Sequence, residues 1–187
     1  MAQAVAEETL INGVDVAALG EKAEALRRDP GLGKSRFRIT NRWLGCGRNR
    51  STVAGFHALR QEIPHEQTFE LEADEPPVLL GTDEGANPVE HLLHALASCL
   101  TTSLAYHAAV RGIHIEEIES TLEGDLDIRG FMGLAPDVRK GYQNITVTFR
   151  VKSDAPAAKL RELAKFSPVF DVVSNGTKVD LKIETRA

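Results

Sequence analysis

The chain has 187 residues, of which 42% are hydrophobic and 26% charged, a balance typical of a globular domain. Its formal net charge of -5 disfavours a nucleic-acid-binding surface, which requires a basic field. No stretch reaches the ~18 apolar residues that a membrane span requires, and the acidic start MAQAVAEETL differs from a signal peptide. We therefore expect a cytoplasmic protein without a membrane or nucleic-acid partner. Two cysteines exclude a disulfide framework and are expected to be free thiols.

The first part of the chain predicts a helix and then three strands. Residues 13–28 place apolar side chains at helical spacing and stop at Pro30-Gly31, so residues 1–35 are predicted to form an N-terminal helical extension. Alternating apolar and polar residues then predict an antiparallel meander over residues 36–44, 51–57 and 67–73.

The clearest element is a long apolar helix in the middle of the chain. Asn87 is suited to cap it, Pro88 suits its first position, and Glu90 completes a reciprocal capping box. The helix is predicted to run to about Arg111, with Gly112 ending it. Because the sequence is apolar around most of its circumference, we expect this helix to be buried on most sides.

The rest of the chain predicts two strands, two helices and a final strand. The strands are expected over residues 114–129 and 143–152, separated by a loop whose apolar residues line a pocket, meet a partner or pack onto the core: Phe131, Met132 and Leu134. Asp154 and Ser167 are predicted helix caps. Lys178 to Glu184 is predicted to be a strand with Val179, Leu181 and Ile183 facing inward. This order predicts an α+β fold, with residues 36–187 as one domain.

Two segments carry a resemblance to a known family. The run GANPVEHLLHALASCLTTSL resembles the central-helix motif of the OsmC/Ohr family, and FSPVFDVVSNG resembles its second motif. The resemblance implies an OsmC-like fold in which antiparallel sheets wrap around long central helices in an intertwined homodimer, with active sites at the interface. Characterised members reduce organic hydroperoxides with two cysteines and a nearby Arg and Glu.

The sequence departs from the peroxidase pattern at two motif positions. Ser167 stands where the resemblance places the second cysteine, so an external thiol reductant would be required for turnover. Val89 stands where it places the catalytic Glu, and Glu90 follows one residue later, about 100° further around the helix. The matching Arg falls in the turn GCGRNRST, where Arg48 and Arg50 are both candidates.

The predicted catalytic residues are therefore Cys99, Glu90, Arg48 and Arg50. A thiol attacks a peroxide as the thiolate, which a neighbouring cation stabilises, so Cys99 is the predicted nucleophile and an Arg its cation. Each residue also has a structural interpretation. Cys99 suits a buried core position, Glu90 a capping residue, and the two arginines a solvated turn.

No cofactor and no metal are predicted. His91 and His94 lie on one helical face beside Glu90, but no third strong zinc ligand follows at a typical spacing. Cys46 is expected to be a partly exposed free thiol, with a disulfide to Cys99 as the alternative. The leading functional hypothesis is reduction of an apolar hydroperoxide. The alternative is a non-catalytic dimeric protein that binds a small hydrophobic molecule in the same family pocket.

Overall fold

The computed structural model describes residues 10–185 and has the predicted α+β fold with antiparallel sheets. The described chain forms two compact units that divide between His94 and Ala95, within the long helix. The elements are β1 (Leu10–Ile11), β2 (Val14–Asp15), α1 (Val16–Arg28), β3 (Arg36–Phe37), β4 (Thr40–Gly45), β5 (Arg48–Ala58), β6 (Gln61–Ala73), α2 (Pro88–Ala109), β7 (Glu117–Asp125), α3 (Ile128–Phe131), β8 (Asn144–Lys152), α4 (Ala157–Ala164) and α5 (Pro168–Asn175).

The described part of the first unit begins with a small hairpin that the helical interpretation of residues 1–35 did not include, and residues 1–9 of that prediction lie outside the described residues. Asn12 and Gly13 connect β1 to β2 with φ angles of 54° and 75°, the positive values that a two-residue hairpin turn requires. The predicted helix follows as α1, which Asp15 caps by accepting a hydrogen bond from the Ala18 N–H at 2.9 Å. The division of the chain at residue 35 stays a prediction.

A twisted antiparallel sheet makes up most of the first unit. Strand β5 is central, with β6 on one edge and both β3 and β4 on the other. β5 and β6 are both longer than predicted, and in β6 the pairing shifts between Phe69 and Pro64, so the alternation that predicted residues 67–73 does not continue into the first part of the strand. At Gly55 a Cβ atom would lie 2.6 Å from the Ile63 carbonyl oxygen, so the two strands approach closely there.

The second unit is built on the larger part of α2. Leu96, Leu100, Leu104 and Ala108 form one buried face of this helix, and they pack with Leu160, Leu163 and Ala164 of α4. The helix ends as predicted. Gly112 has a φ of 67°, and the N–H groups of Gly112 and Ile113 donate to the carbonyls of Ala109 and Ala108, which is a Schellman motif.

Strands β7 and β8 form a hairpin whose inward side chains cover this core. They pair in register from Glu117 opposite Lys152 to Asp125 opposite Asn144. The prediction that a strand spans residues 114–129 was therefore too long at both ends. Near the end of the predicted strand, Asp127 instead caps the short helix α3 by accepting a hydrogen bond from the Arg129 N–H at 3.0 Å. Three apolar side chains are exposed at the end of α3 and in the connection that follows: Phe131, Met132 and Leu134.

Two predictions about the last part of the chain were wrong. Asp154 does not cap α4, because the helix starts only after Pro156, whose ring disfavours helical geometry in the preceding residue. Residues 178–184 form no strand within the described chain, and Val179, Leu181 and Ile183 are 81%, 80% and 80% exposed instead of inward. Alternation predicts a face that can be buried, but a strand also needs a neighbour to pair with its backbone groups.

Among residues 10–185, no helix is long and apolar enough to cross a membrane.

Candidate functional site

Cys99 lies near the middle of α2, on the flank of the buried face of this helix. It is half-buried, and its thiol is free. The neighbouring core residue Leu100 points about 100° further around the helix, so the sulfur-bearing side chain is displaced from the core stripe and not part of it. Ser103 and Tyr106 continue the same flank along the helix, and Tyr106 is exposed. The structure thus places Cys99 at the margin of the core, where a sulfur is partly accessible.

Glu90 forms the predicted capping box. Its carboxylate accepts a hydrogen bond from the Asn87 N–H at 2.8 Å, and the Asn87 side chain accepts from the Val89 N–H at 2.9 Å. The Asn87 amide also donates to Glu75 in the preceding loop. The structural interpretation of Glu90 is therefore confirmed, and its exposed carboxylate has a defined position at the start of α2.

Arg48 and Arg50 each have a carboxylate partner in the first unit. Arg48 forms an ion pair with Glu84, with Nη2 and Oε2 2.9 Å apart. Arg50 lies between Glu72, at 2.5 Å, and Glu70, at 3.8 Å. The hydrogen bond from Arg50 to Glu72 and the charges of both glutamates raise the pKa of this guanidinium. Both residues are half-buried at the start of β5, and their side chains are 36% and 43% exposed, so both the surface interpretation and a site role stay open.

A buried carboxylate organises the loop between β6 and α2, and sequence reasoning missed it. Asp74 is only 1% exposed and accepts from the Glu75, Thr82 and Glu84 N–H groups and from the Thr82 hydroxyl, the last at 2.6 Å. These hydrogen bonds, the Thr82 hydroxyl first, lower the pKa of Asp74 to about 2 even though burial opposes the shift. Its position directly after β6 and before a Pro- and Gly-rich loop was the available signal.

Cys46 lies in the turn between β4 and β5. Its backbone has a φ of 48°, which is uncommon for a residue other than glycine. The exposed thiol donates to the Leu80 carbonyl at 3.1 Å, and the Cys46 carbonyl accepts from the Trp43 indole at 2.9 Å. The turn therefore packs against the 74–87 loop, within the first unit. Cys46 is a free thiol, as expected.

The histidines near the start of α2 do not belong to a metal-ligand cluster. A ring nitrogen of His91 lies 2.9 Å from the Glu72 carbonyl oxygen, which gives that imidazole a structural partner. Within residues 10–185, no group of three His, Cys, Asp or Glu side chains is arranged to hold a metal ion.

The comparison with protein families decides the relationship that the two motifs indicated. The family model for OsmC-like proteins matches residues 81–182, which include α2, Cys99 and the Ser167 motif. This chain belongs to the OsmC-like protein family. No curated protein matches it.

Solved structures of OsmC-like proteins share the fold. A crystal structure of a candidate osmotic-stress-induced and detoxification-response protein from Psychrobacter arcticus matches with a TM-score of 0.55 at 16% identity, covering 74% of this chain and 88% of that one. An OsmC-like protein from Mycoplasma pneumoniae matches with a TM-score of 0.55 at 17% identity, covering 75% and 88%. An OsmC-like protein of unknown function from Vibrio cholerae gives 0.53 at 12% identity, covering 74% and 93%.

In this OsmC-like chain, Ser167 has a structural role. Ser167 is buried, and its hydroxyl accepts a hydrogen bond from the Phe170 N–H at 3.1 Å. It therefore caps α5, as predicted from the Ser-Pro pair. A serine at this position satisfies the helix end but offers no thiol that could form a disulfide.

Proposed function

We propose that this OsmC-like protein reduces organic hydroperoxides through Cys99, with an external thiol as the reductant. The observation that supports the proposal most strongly is a free, half-buried cysteine on the central helix of a chain whose family match includes it. A nucleophilic thiol needs partial access, and the flank position of Cys99 on α2 provides it. We further propose that the protein acts in the cytoplasm, where thiols stay reduced.

The proposed reaction has two stages. The Cys99 thiolate attacks one oxygen of an apolar hydroperoxide, the O–O bond breaks, and the other oxygen takes up a proton and leaves as the alcohol. Sulfur is thereby oxidised to a sulfenic acid. One external thiol then condenses with the sulfenic acid, releasing water and forming a mixed disulfide. A second external thiol attacks the external sulfur of the mixed disulfide. This releases the Cys99 thiol and joins the two external thiols as a disulfide.

For the residues that assist Cys99, we propose Arg48 or Arg50 as the cation and Glu90 as the carboxylate that orients it. Arg suits this task because its planar guanidinium can pair with a carboxylate and remain positively charged. The fixed position of Glu90 and the half-burial of both arginines support the proposal. The assignment is tested by substituting Arg48, Arg50 and Glu90 one at a time and measuring the rate of peroxide consumption.

A peroxide-consumption assay tests the proposal. With cumene hydroperoxide and dithiothreitol, we expect the wild-type protein to consume peroxide and Cys99→Ser to fall to the background rate. Cys46→Ser is the matched control, because Cys46 is the other free thiol, and it should retain the wild-type rate. Equal rates for wild type and Cys99→Ser would reject the catalytic role.

We also propose that the protein is a homodimer, because the described chain leaves apolar faces unburied. Phe37 and Trp43 on the first sheet are 76% and 72% exposed. Val179, Leu181 and Ile183 are exposed to a similar degree near the C-terminus. Exposed large apolar side chains of this kind are typical of interfaces, and a second copy is the partner that the family resemblance implies.

A second function is supported by Ser167. Because this residue caps a helix and offers no second thiol, the chain is also suited to a dimeric protein that has kept the family pocket for a small hydrophobic ligand and has lost peroxidase chemistry. The two functions differ in thiol reactivity. A Cys99 that does not react with peroxide, in a protein that still binds apolar ligands, would favour the second.

A further inference from the structure

The second unit contains an apolar cleft between α2, β8, α4 and α5. Its volume is about 480 Å³, within the range of small-molecule sites. Most of the lining is hydrocarbon, from Leu100 and Leu104 of α2, Val147 and Phe149 of β8, Leu160 of α4 and Phe170 of α5. Because these residues belong to the main core cluster or pack against it, the cleft is an open continuation of the core.

The cleft is separate from the candidate thiol site. Leu100 and Leu104 line it from the buried face of α2, whereas Cys99 projects from the flank of that helix and is not among the lining residues. A ligand in the cleft would therefore contact Leu100 and Leu104, and not a surface that Cys99 lines. Nothing in the proposed peroxide chemistry requires this cavity.

Two cations stand in the otherwise apolar lining. Arg161 of α4 and Lys165, the C-cap residue of that helix, lie four residues apart and are neighbours on one face, and both are exposed to solvent. Lys165 forms an ion pair with Glu162, with Nζ and Oε1 2.9 Å apart. Residues 157–165 carry three cations and one acid in a chain whose net charge is -5. The edge of the cleft is thus locally positive.

We propose that this cleft binds an amphipathic carboxylate, such as a medium-chain fatty acid. The hydrocarbon chain lies against Leu100, Leu104 and Phe149, where each buried methylene adds to the affinity. The carboxylate lies between Arg161 and Lys165, which offer charge-assisted hydrogen bonds to it. A neutral ligand of the same length fills the same cleft but gains nothing from the two cations.

Calorimetric titration of the full-length protein with laurate and with its methyl ester tests the proposal. We expect laurate to bind and the neutral ester to bind about tenfold more weakly, a ratio that corresponds to the combined contribution of two exposed charge contacts. The double variant Arg161→Gln/Lys165→Gln should bind laurate about tenfold more weakly than wild type and bind the ester unchanged.

Lys159→Gln is the matched control. It removes one positive charge from the same helix at an exposed residue that does not line the cleft, so laurate affinity should stay within about twofold of wild type. Ala157→Phe narrows the lining at the start of α4 and should weaken laurate and ester alike. Melting curves for each variant show that the fold is kept.

Three results would overturn the proposal. The first is an ester that binds as tightly as laurate, and the second is an equal loss of laurate affinity in Lys159→Gln and in the double variant. The third is the absence of laurate binding to the wild-type protein. Cys99→Ser should bind laurate as wild type does, so failure of the redox proposal leaves this result unaffected.

Discussion

Glu90 has a capping role that the structure confirms and a catalytic role that is proposed, and one substitution separates them. Glu90→Gln keeps an oxygen that can accept from the Asn87 N–H, so the capping box and the melting temperature should be retained. The carboxylate charge is lost, and we expect the peroxidase rate to fall about tenfold, equivalent to ~1.4 kcal/mol of transition-state stabilisation. A lower melting temperature with an unchanged rate would assign Glu90 to capping alone.

Asp74 should make the stability of the first unit depend on pH in acid. Its pKa is lowered to about 2 in the folded chain, against ~3.9 for a free Asp. Because the lowered pKa means that the folded state favours the charged form, the stabilisation is complete above about pH 4 and is lost as the pH falls towards 2. Thermal melts between these pH values should drop more steeply for wild type than for Asp74→Asn.

The control for this measurement is Asp83→Asn, in the same loop. Asp83 is exposed and has a positive φ of 59°, a conformation that asparagine also tolerates. Its melting profile should follow that of wild type over the whole range. Parallel profiles for wild type and Asp74→Asn would contradict the assigned role of Asp74.

Residue-level prediction succeeded where the signal is local. The Asn87–Glu90 box and the Ser167 cap each depend on residues within three positions, and both are confirmed. Asp74 was missed because its donors come from Thr82 and Glu84, which reach it only after the loop closes. The roles of Cys99, Arg48 and Arg50 stay predictions, because reactivity depends on groups that sequence spacing does not place.

At the scale of elements, substitution of Ser167 measures how much its helix cap contributes to stability. Ser167→Ala leaves the Phe170 N–H without its acceptor and should lower the free energy of unfolding by about 1 kcal/mol. Chemical denaturation provides the measurement. Thr102→Ala, an exposed substitution on α2, should leave stability unchanged or slightly raised. If Ser167→Ala unfolds at the same midpoint denaturant concentration as wild type, the cap does not contribute to stability.

The elements that were predicted well carry their own start and stop signals. Helix α2 has Asn87 and Pro88 at one end and Gly112 at the other, and the structure confirms both ends. Strand β6 was predicted too short because a sheet irregularity interrupts its alternation. The prediction of a strand at residues 178–184 was wrong, because the described chain has no strand there. Alternation alone does not supply a neighbouring strand for the backbone to pair with.

At the scale of the whole molecule, the exposed C-terminal side chains test the proposed homodimer. Leu181→Asn should raise the dimer dissociation constant at least about tenfold if burial of this leucine is worth ~1.5–3 kcal/mol. Lys182→Asn is the matched control, because in an extended segment the next side chain points to the opposite face. It should leave the dimer dissociation constant near the wild-type value. Light scattering over a concentration series gives both values. A wild-type protein that stays monomeric would reject the dimer.

The central claim is that Cys99 is the sulfur that peroxide oxidises. Its most direct test is trapping of the sulfenic acid with dimedone after one equivalent of cumene hydroperoxide, followed by peptide mass spectrometry of the wild-type protein. We expect the adduct on the peptide that contains Cys99, and the same adduct in Cys46→Ser. An adduct confined to Cys46, or none on either cysteine while peroxide is consumed, would contradict the claim.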